Sequence, residues 1–242
     1  MKHGLVMEGG AMRGLFTAGV IDVMMEQNIV FDGAVGVSAG AVFGCNYKSH
    51  QIGRVLRYNL AFCQDPRDCS MRSRIKTGDL FGADFCYRQI PDELDVFDRE
   101  AYANSPMDFY VVGTDVRSGR AVYHNCLTGD HEDLDWLRAS ASMPLASQIV
   151  SVGNRNLLDG GIADSIPLKF IQTQGYAKNV VILTQPLDYV KKKNKLMPLM
   201  KVVYRQYPNL LGTMARRHEV YNEATAYIRA QEAAGKIFVL RQ

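Results

Sequence analysis

The sequence predicts an α/β fold in which a mainly parallel sheet is covered by helices. Three observations carry this reading. Short apolar, β-branched runs alternate with longer stretches of helical spacing from the first residues onward. The first two of these runs pass through glycine-rich turns straight into helices, a strand-turn-helix order that favours parallel strands. The 242 residues, 47% hydrophobic and 22% charged, suffice for one sizeable core, so one domain over residues 1–242 is expected.

Residues 3–7 read as a short buried strand and residues 15–27 (LFTAGVIDVMMEQ) as a helix. A second strand over 31–37 ends at Ser38 and gives way at Gly40 to an apolar helical run, AVFGCNY. Residues 51–105 are more polar, carry Pro66 and Pro91 and show weak periodicity, which suits a helical, lid-like insertion over the sheet edge. The sheet resumes with a strand over 107–116, and residues 120–125 pair back on it across the turn at Arg117, Ser118 and Gly119. A helix is expected over 134–142, a strand ending at 157–159, a short helix over 168–173 and a buried strand over 179–184 (NVVILT). The tail from 196 to 234 reads as largely helical, with a last strand over 236–240.

Bulk properties narrow the function classes. The five cysteines are scattered and form no C-x-x-C pair, which points away from a disulfide framework or a zinc site and toward a reducing, cytoplasmic setting. No cluster of side chains suggests a metal or cofactor. No signal-peptide core opens the chain, and no run of about eighteen apolar residues suggests a membrane span. The net charge of +3 is mild, and the basic residues lack interleaved aromatics, so nucleic acid is not an expected partner. Lys191, Lys192, Lys193 and Lys195 precede the apolar stretch 196–200, which Lys201 and Arg205 follow. Such a segment could rest peripherally on an anionic membrane surface, or be a solvated loop leading into a packed helix.

The chemistry concentrates in two glycine turns. Gly36-Val37-Ser38-Ala39-Gly40 is a G-x-S-x-G pentapeptide with a strand before it and a helix after it, the context in which a serine is displayed on a sharp turn. The alternative is a serine that merely caps the helix. A serine nucleophile needs a base. None of the histidines (His3, His50, His124, His131, His218) stands in a loop at a strand's carboxyl end, where a partner for Ser38 must lie. Asp159 does stand there, closing an apolar strand before Gly160 and Gly161. An aspartate at such a place serves equally as a turn residue, and the residues alone leave both readings open. Asp115 also closes a strand and reads more simply as a turn residue. Glu8 suits a cap on the first glycine turn, and Asp164 suits the start of a helix. The turn Val6–Gly14 lacks the Lys-Ser or Lys-Thr of a phosphate loop, and no acid ends the second strand, so a nucleotide site is disfavoured.

Four motifs in order, Glu8-Gly9-Gly10-Ala11-Met12-Arg13-Gly14, then residues 36–40, then Ala139-Ser140-Ala141-Ser142-Met143-Pro144, then Asp159-Gly160-Gly161, resemble the patatin-like phospholipase family over most of the chain. The resemblance implies a three-layer α/β/α sandwich and a serine acyl hydrolase acting on lipid esters. Ser38 would be its nucleophile, Asp159 its base, and no histidine, metal or cofactor would take part. The first glycine turn then belongs to an oxyanion hole: the amides of Gly9, Gly10 and Ala11 would face the developing negative charge. Ala11 replaces the family's usual third glycine, and a positive φ there would strain it by about 1 kcal/mol. Arg13 matches the family's basic residue and either clamps the loop carbonyls, the favoured reading, or is a surface cation. The same architecture could instead serve an acyltransferase or a non-catalytic lipid-binding module. The family often continues beyond a strand such as 236–240, so a further C-terminal segment is also an expectation.

Overall fold

A computed structural model describes residues 1–67, 78–80 and 82–242; residues 68–77 and 81, part of the 51–105 insertion and including Cys69, lie outside the described residues. The strands are β1 (Lys2–Met7), β2 (Gly33–Val37), β3 (Asp108–Asp115), β4 (Ala121–Asn125), β5 (Val150–Val152), β6 (Arg155–Asp159), β7 (Tyr176–Leu183) and β8 (Ile237–Arg241). They form one sheet in the order β5-β6-β3-β2-β1-β7-β8, with β4 also paired to β3. The β2-β3, β1-β2, β1-β7 and β7-β8 pairs are parallel; β4 and β6 on β3, and β5 on β6, are antiparallel.

The helices are α1 (Gly14–Glu26), α2 (Ala39–Lys48), α3 (Arg54–Phe62), α4 (Arg99–Asn104), α5 (His131–Ser140), α6 (Leu168–Thr173), α7 (Met197–Val203) and α8 (Pro208–Ala233). Side chains alternate across each strand, so Leu5 and Met7 pack on one face with Ile21 of α1, Cys45 of α2 and Leu137 of α5. Val6 turns to the other face, with Ile171 of α6 and Tyr221 of α8. Every residue of β2 is buried because helices cover both faces, which is why GAVGV is apolar throughout rather than alternating. The expected α/β architecture is what these layers form.

Three details depart from the sequence expectations. α5 begins at His131 rather than 134, because the Asp130 side chain accepts the Asp133 amide at 3.0 Å and caps a first turn rich in acid. The helical tail breaks into α7 and α8, the second starting on Pro208, whose missing N–H costs nothing at that position. Residues Phe85–Leu94 form a π-helix containing Pro91. Its wider turn explains why a 3.6-residue period was weak there.

Candidate functional site

The register of β3 brings two chain ends together. Gly113 and Thr114 pair with β4 and also with β6, so those two strands lie on opposite edges of β3. β4 overlaps β2 along β3 as well, which leaves β2 and β6 sharing one edge. β2 runs parallel to β3 and ends with Val37 opposite Val112; β6 runs antiparallel and ends with Asp159 opposite Gly113. Ser38, the next residue after Val37, therefore meets Asp159 head-on.

Ser38 sits at φ 53°, ψ −123°, outside the regions an L-residue prefers, a strain of about 1–3 kcal/mol that a packed environment must sustain. The packing is tight by necessity: a Cβ on Gly40 would stand 2.7 Å from the Glu8 carbonyl oxygen, and one on Gly9 would stand 2.9 Å from Ser38 Cβ. Both Ser38 and Asp159 are buried. The Ser38 side chain lies beside the Asp159 carboxylate and favours its charged form, and Gly161 donates its amide to Asp159 Oδ1 at 2.7 Å. Burial pushes the Asp159 carboxyl above its ordinary range, against the pull of Arg217, Ser38 and the Gly161 amide.

The 139–144 motif ties the two residues to each other. The Ser38 amide donates to Ser140 Oγ at 2.9 Å, and the Asp159 amide donates to the Ser142 carbonyl at 2.8 Å. Thr114 Oγ1 donates to the Asp159 carbonyl at 2.8 Å and closes the arrangement from β3. Residue order alone could not assign these roles to Ser140 and Ser142, since neither carries a motif beyond its neighbours.

The first glycine turn lies against this pair. Among the described residues, the amides of Gly9, Gly10 and Ala11 donate to no protein acceptor, and the same is true of Ala39, directly after Ser38. Ala11 adopts φ 47°, so the strain expected of an alanine at this place is present. Glu8 holds the turn from below: its carboxylate accepts the Thr184 amide at 2.6 Å and the Tyr221 hydroxyl at 2.7 Å. Burial raises the Glu8 carboxyl despite these bonds. Arg13 is exposed and, among the described residues, bonds to no loop carbonyl, which corrects the reading of it as a clamp.

An apolar cavity of about 220 Å³ opens beside Ser38. Phe43 of α2, Tyr58 and Phe62 of α3, Tyr87 and Ile90 of the π-helix and Leu137 of α5 line it. Its wall charges are paired: Arg138 with Asp79 at 3.2 Å, and Arg54 with Asp95 at 3.2 Å, an acid that also holds Arg57 at 2.7 Å.

The remaining candidates take structural roles. Asp115 accepts the Ser118 amide at 2.7 Å and hydroxyl at 2.8 Å; burial pushes its carboxyl up, but these bonds prevail and hold it low. It is a turn residue. Asp164 does not cap α6, whose first turn has no side-chain cap; it accepts the Tyr123 hydroxyl at 2.7 Å and the Ile166 amide at 3.3 Å, turning the chain just before the helix. Among the described residues no histidine bonds to Ser38 or Asp159, and His124 stacks on Trp136 at 4.4 Å. His124, Cys126 and Asp133 come within 4.8 Å of one another. Lys48, donating to the Cys126 carbonyl at 3.1 Å and drawn by Asp133, already supplies the positive charge there. Lys191 belongs with the site rather than with the surface lysines that follow it: it is half-buried, and both Glu8 and Asp159 act on its ammonium.

The family described as Patatin-like phospholipase matches residues 5–170, from β1 into α6 and through both glycine turns. A protein of Escherichia coli strain K12 described as Uncharacterized protein YjjU is 34% identical over 193 residues, 75% of this chain and 52% of that protein. A Lysophospholipase NTE1 of Chaetomium globosum is 28% identical over 183 residues, 71% of this chain and 11% of that protein. The chain thus spans about half the length of the first relative and a small part of the second.

Proposed function

Because the chain belongs to the patatin-like phospholipase family, we propose that it hydrolyses acyl esters of lipids through Ser38 and Asp159. The observation that carries this reading is the convergence of two buried side chains, Ser38 and Asp159, where two strand ends meet on one edge of β3. Asp159 accepts the hydroxyl proton as Ser38 Oγ attacks the ester carbonyl, then returns it to the departing alcohol. Water repeats the sequence on the acyl-enzyme. The amides of Gly9, Gly10 and Ala11, joined by that of Ala39, stabilise the tetrahedral oxyanion; being main-chain donors without other acceptors, they need no rearrangement as charge develops.

An ordinary aspartate is a weak base toward an alcohol. Burial answers this by raising Asp159 toward the pH at which it must work, and an acyl chain filling the apolar cavity excludes further water. Among the described residues, α3 and the π-helix supply much of the cavity wall and act as its cover. No helix of the described residues is long and apolar enough to cross a membrane. Contact with lipid falls to α7, which buries Met200 and exposes Leu199, Val202 and Val203 beside Lys195 and Lys201, a surface suited to an anionic bilayer.

The test is release of chromophore from p-nitrophenyl esters of increasing chain length. Turnover that rises with chain length and disappears in Ser38→Ala and Asp159→Asn supports the reading. Full activity in Asp159→Asn, or none in the native protein, overturns it.

A further inference from the structure

Two cations, Arg217 and Lys191, gather on the Asp159 side of Ser38 and a third, Arg13, acts on Lys191 from just before α1; the proposed chemistry uses none of them. Arg217 of α8 donates Nε to the Gly161 carbonyl at 2.6 Å, and its guanidinium lies beside the Asp159 carboxylate. Lys191, in the loop after β7, places Nζ 4.2 Å from the centre of the Tyr221 ring and 5.7 Å from that of Tyr189. Arg13, exposed at the start of α1, acts on the same ammonium. Burial first, and then the charges of Arg217 and Arg13, bring Lys191 down to about 8. Among the described residues none of the three makes an ion pair. The carboxylates that act on Lys191 are Glu8, committed to Thr184 and Tyr221, and Asp159, which accepts the Gly161 amide and lies beside Ser38. Against these two acids the three cations leave one positive charge over, and a second when Asp159 takes the serine proton.

The location gives this charge a purpose. The apolar cavity opens from Ser38 toward α2, α3 and α5, while none of the three cations lines it. With the acyl chain in the cavity, the alcohol leaves toward the Asp159 side, because Asp159 must hand it a proton. The Tyr189–Tyr221 pair, crossed nearly at right angles at 5.8 Å, is the kind of aromatic corner that seats a quaternary ammonium. Lys191 already fills it. A headgroup with its own cation meets repulsion from three sides, and one bearing only phosphate meets donors.

We infer that Lys191, Arg13 and Arg217 form a subsite for a phosphate on the alcohol part of the substrate, selecting anionic acylglycerol phosphates over neutral and choline-bearing esters. The inference rests on the proposed hydrolase activity and adds to it the choice of headgroup.

Three esters with one common acyl chain test it: a 1-acylglycerol 3-phosphate, the corresponding phosphocholine and the monoacylglycerol. The native protein is expected to prefer the first by at least about tenfold in kcat/KM. That ratio should collapse toward one in Lys191→Gln and shrink in Arg13→Gln, a comparison that cancels any general loss of activity. Arg217 also holds Gly161, so it is not the variant of choice. Thermal shift provides a readout without turnover: glycerol 3-phosphate should raise the Tm of the native protein and not of Lys191→Gln, and glycerophosphocholine should raise neither. Equal or faster cleavage of the phosphocholine or neutral ester overturns the subsite and leaves the hydrolase intact. Failure to cleave any of the three esters, with the glycerol 3-phosphate shift present, overturns the hydrolase and leaves an anion site. Absence of both overturns the two together.

Discussion

The two sides of Ser38 treat charge in opposite ways. In the cavity wall, Arg54 and Arg138 are held in direct ion pairs with Asp95 and Asp79, Asp95 also holding Arg57, so no cation there points unpaired into the space between Phe43, Tyr58 and Leu137. Across the serine, Arg13, Lys191 and Arg217 make no direct ion pair among the described residues. The difference teaches how a site divides its labour. Apolar contact is non-directional and graded by area, so under the proposed reaction the cavity would sort acyl chains by length. Charge-assisted contacts are directional, so the opposite side can sort headgroups by sign.

The sharpest way to break this comparison is to remove what lies at its centre. Ser38→Ala should lower kcat by at least about a thousandfold on every ester, because the nucleophile serves both sides alike. Asp159→Asn should be comparably inactive and yet raise the Tm at neutral pH, since burial disfavours the charged carboxyl that the amide replaces. The sign follows from the raised carboxyl. The native protein carries the penalty above that value and loses it as acid protonates Asp159, so the Tm advantage of the variant should fade on acidification. By the same logic the acid limb of kcat lies above the range of an ordinary aspartate.

Ser140→Ala strips the buried Ser38 amide of its acceptor. A loss of about 1–3 kcal/mol in stability, together with reduced turnover of short and long esters alike, is the expected result by chemical denaturation and kinetics. A change confined to one chain length would mean that Ser140 acts on the cavity instead. Val42→Phe, which fills part of the cavity, should cut activity on long acyl chains severalfold while sparing short ones and leaving headgroup preference alone.

On the charged side, the preference for phosphate should weaken between pH 7 and pH 9 as Lys191 loses its proton near 8. The charged and titratable groups facing it are Glu8 after β1, Arg13 before α1, Asp159 after β6, Tyr189 in its own loop, and Arg217 and Tyr221 on α8, and the two arginines should preserve a residual preference. The smallest effect belongs to Ala11→Gly. Relief of the positive φ and the extra freedom of an unfolded glycine should nearly cancel, leaving stability within about 0.5 kcal/mol and activity intact, because the amide is unchanged.

What the sequence determined by itself was local. Strand-turn-helix order, the glycines around Ser38 and the acid closing β6 follow from short-range steric rules, the family resemblance raised the positive-φ question at Ala11, and among the described residues the folded chain bears out the expected strands and helices outside 51–105 to within a few residues. The π-helix was not legible, because its hydrogen bonds span five residues and blur the helical period. What only the tertiary structure decided was convergence. Lys191 reads in sequence as one more residue of a basic run, and Arg217 as one of a pair of helical arginines. Placing them beside Asp159 depends on how the loop after β7 and helix α8 pack on the sheet, over separations that no local pattern records. The meeting of Ser38 and Asp159 likewise depends on the shared edge of β3, where register over long range, not the residues flanking either one, sets them side by side.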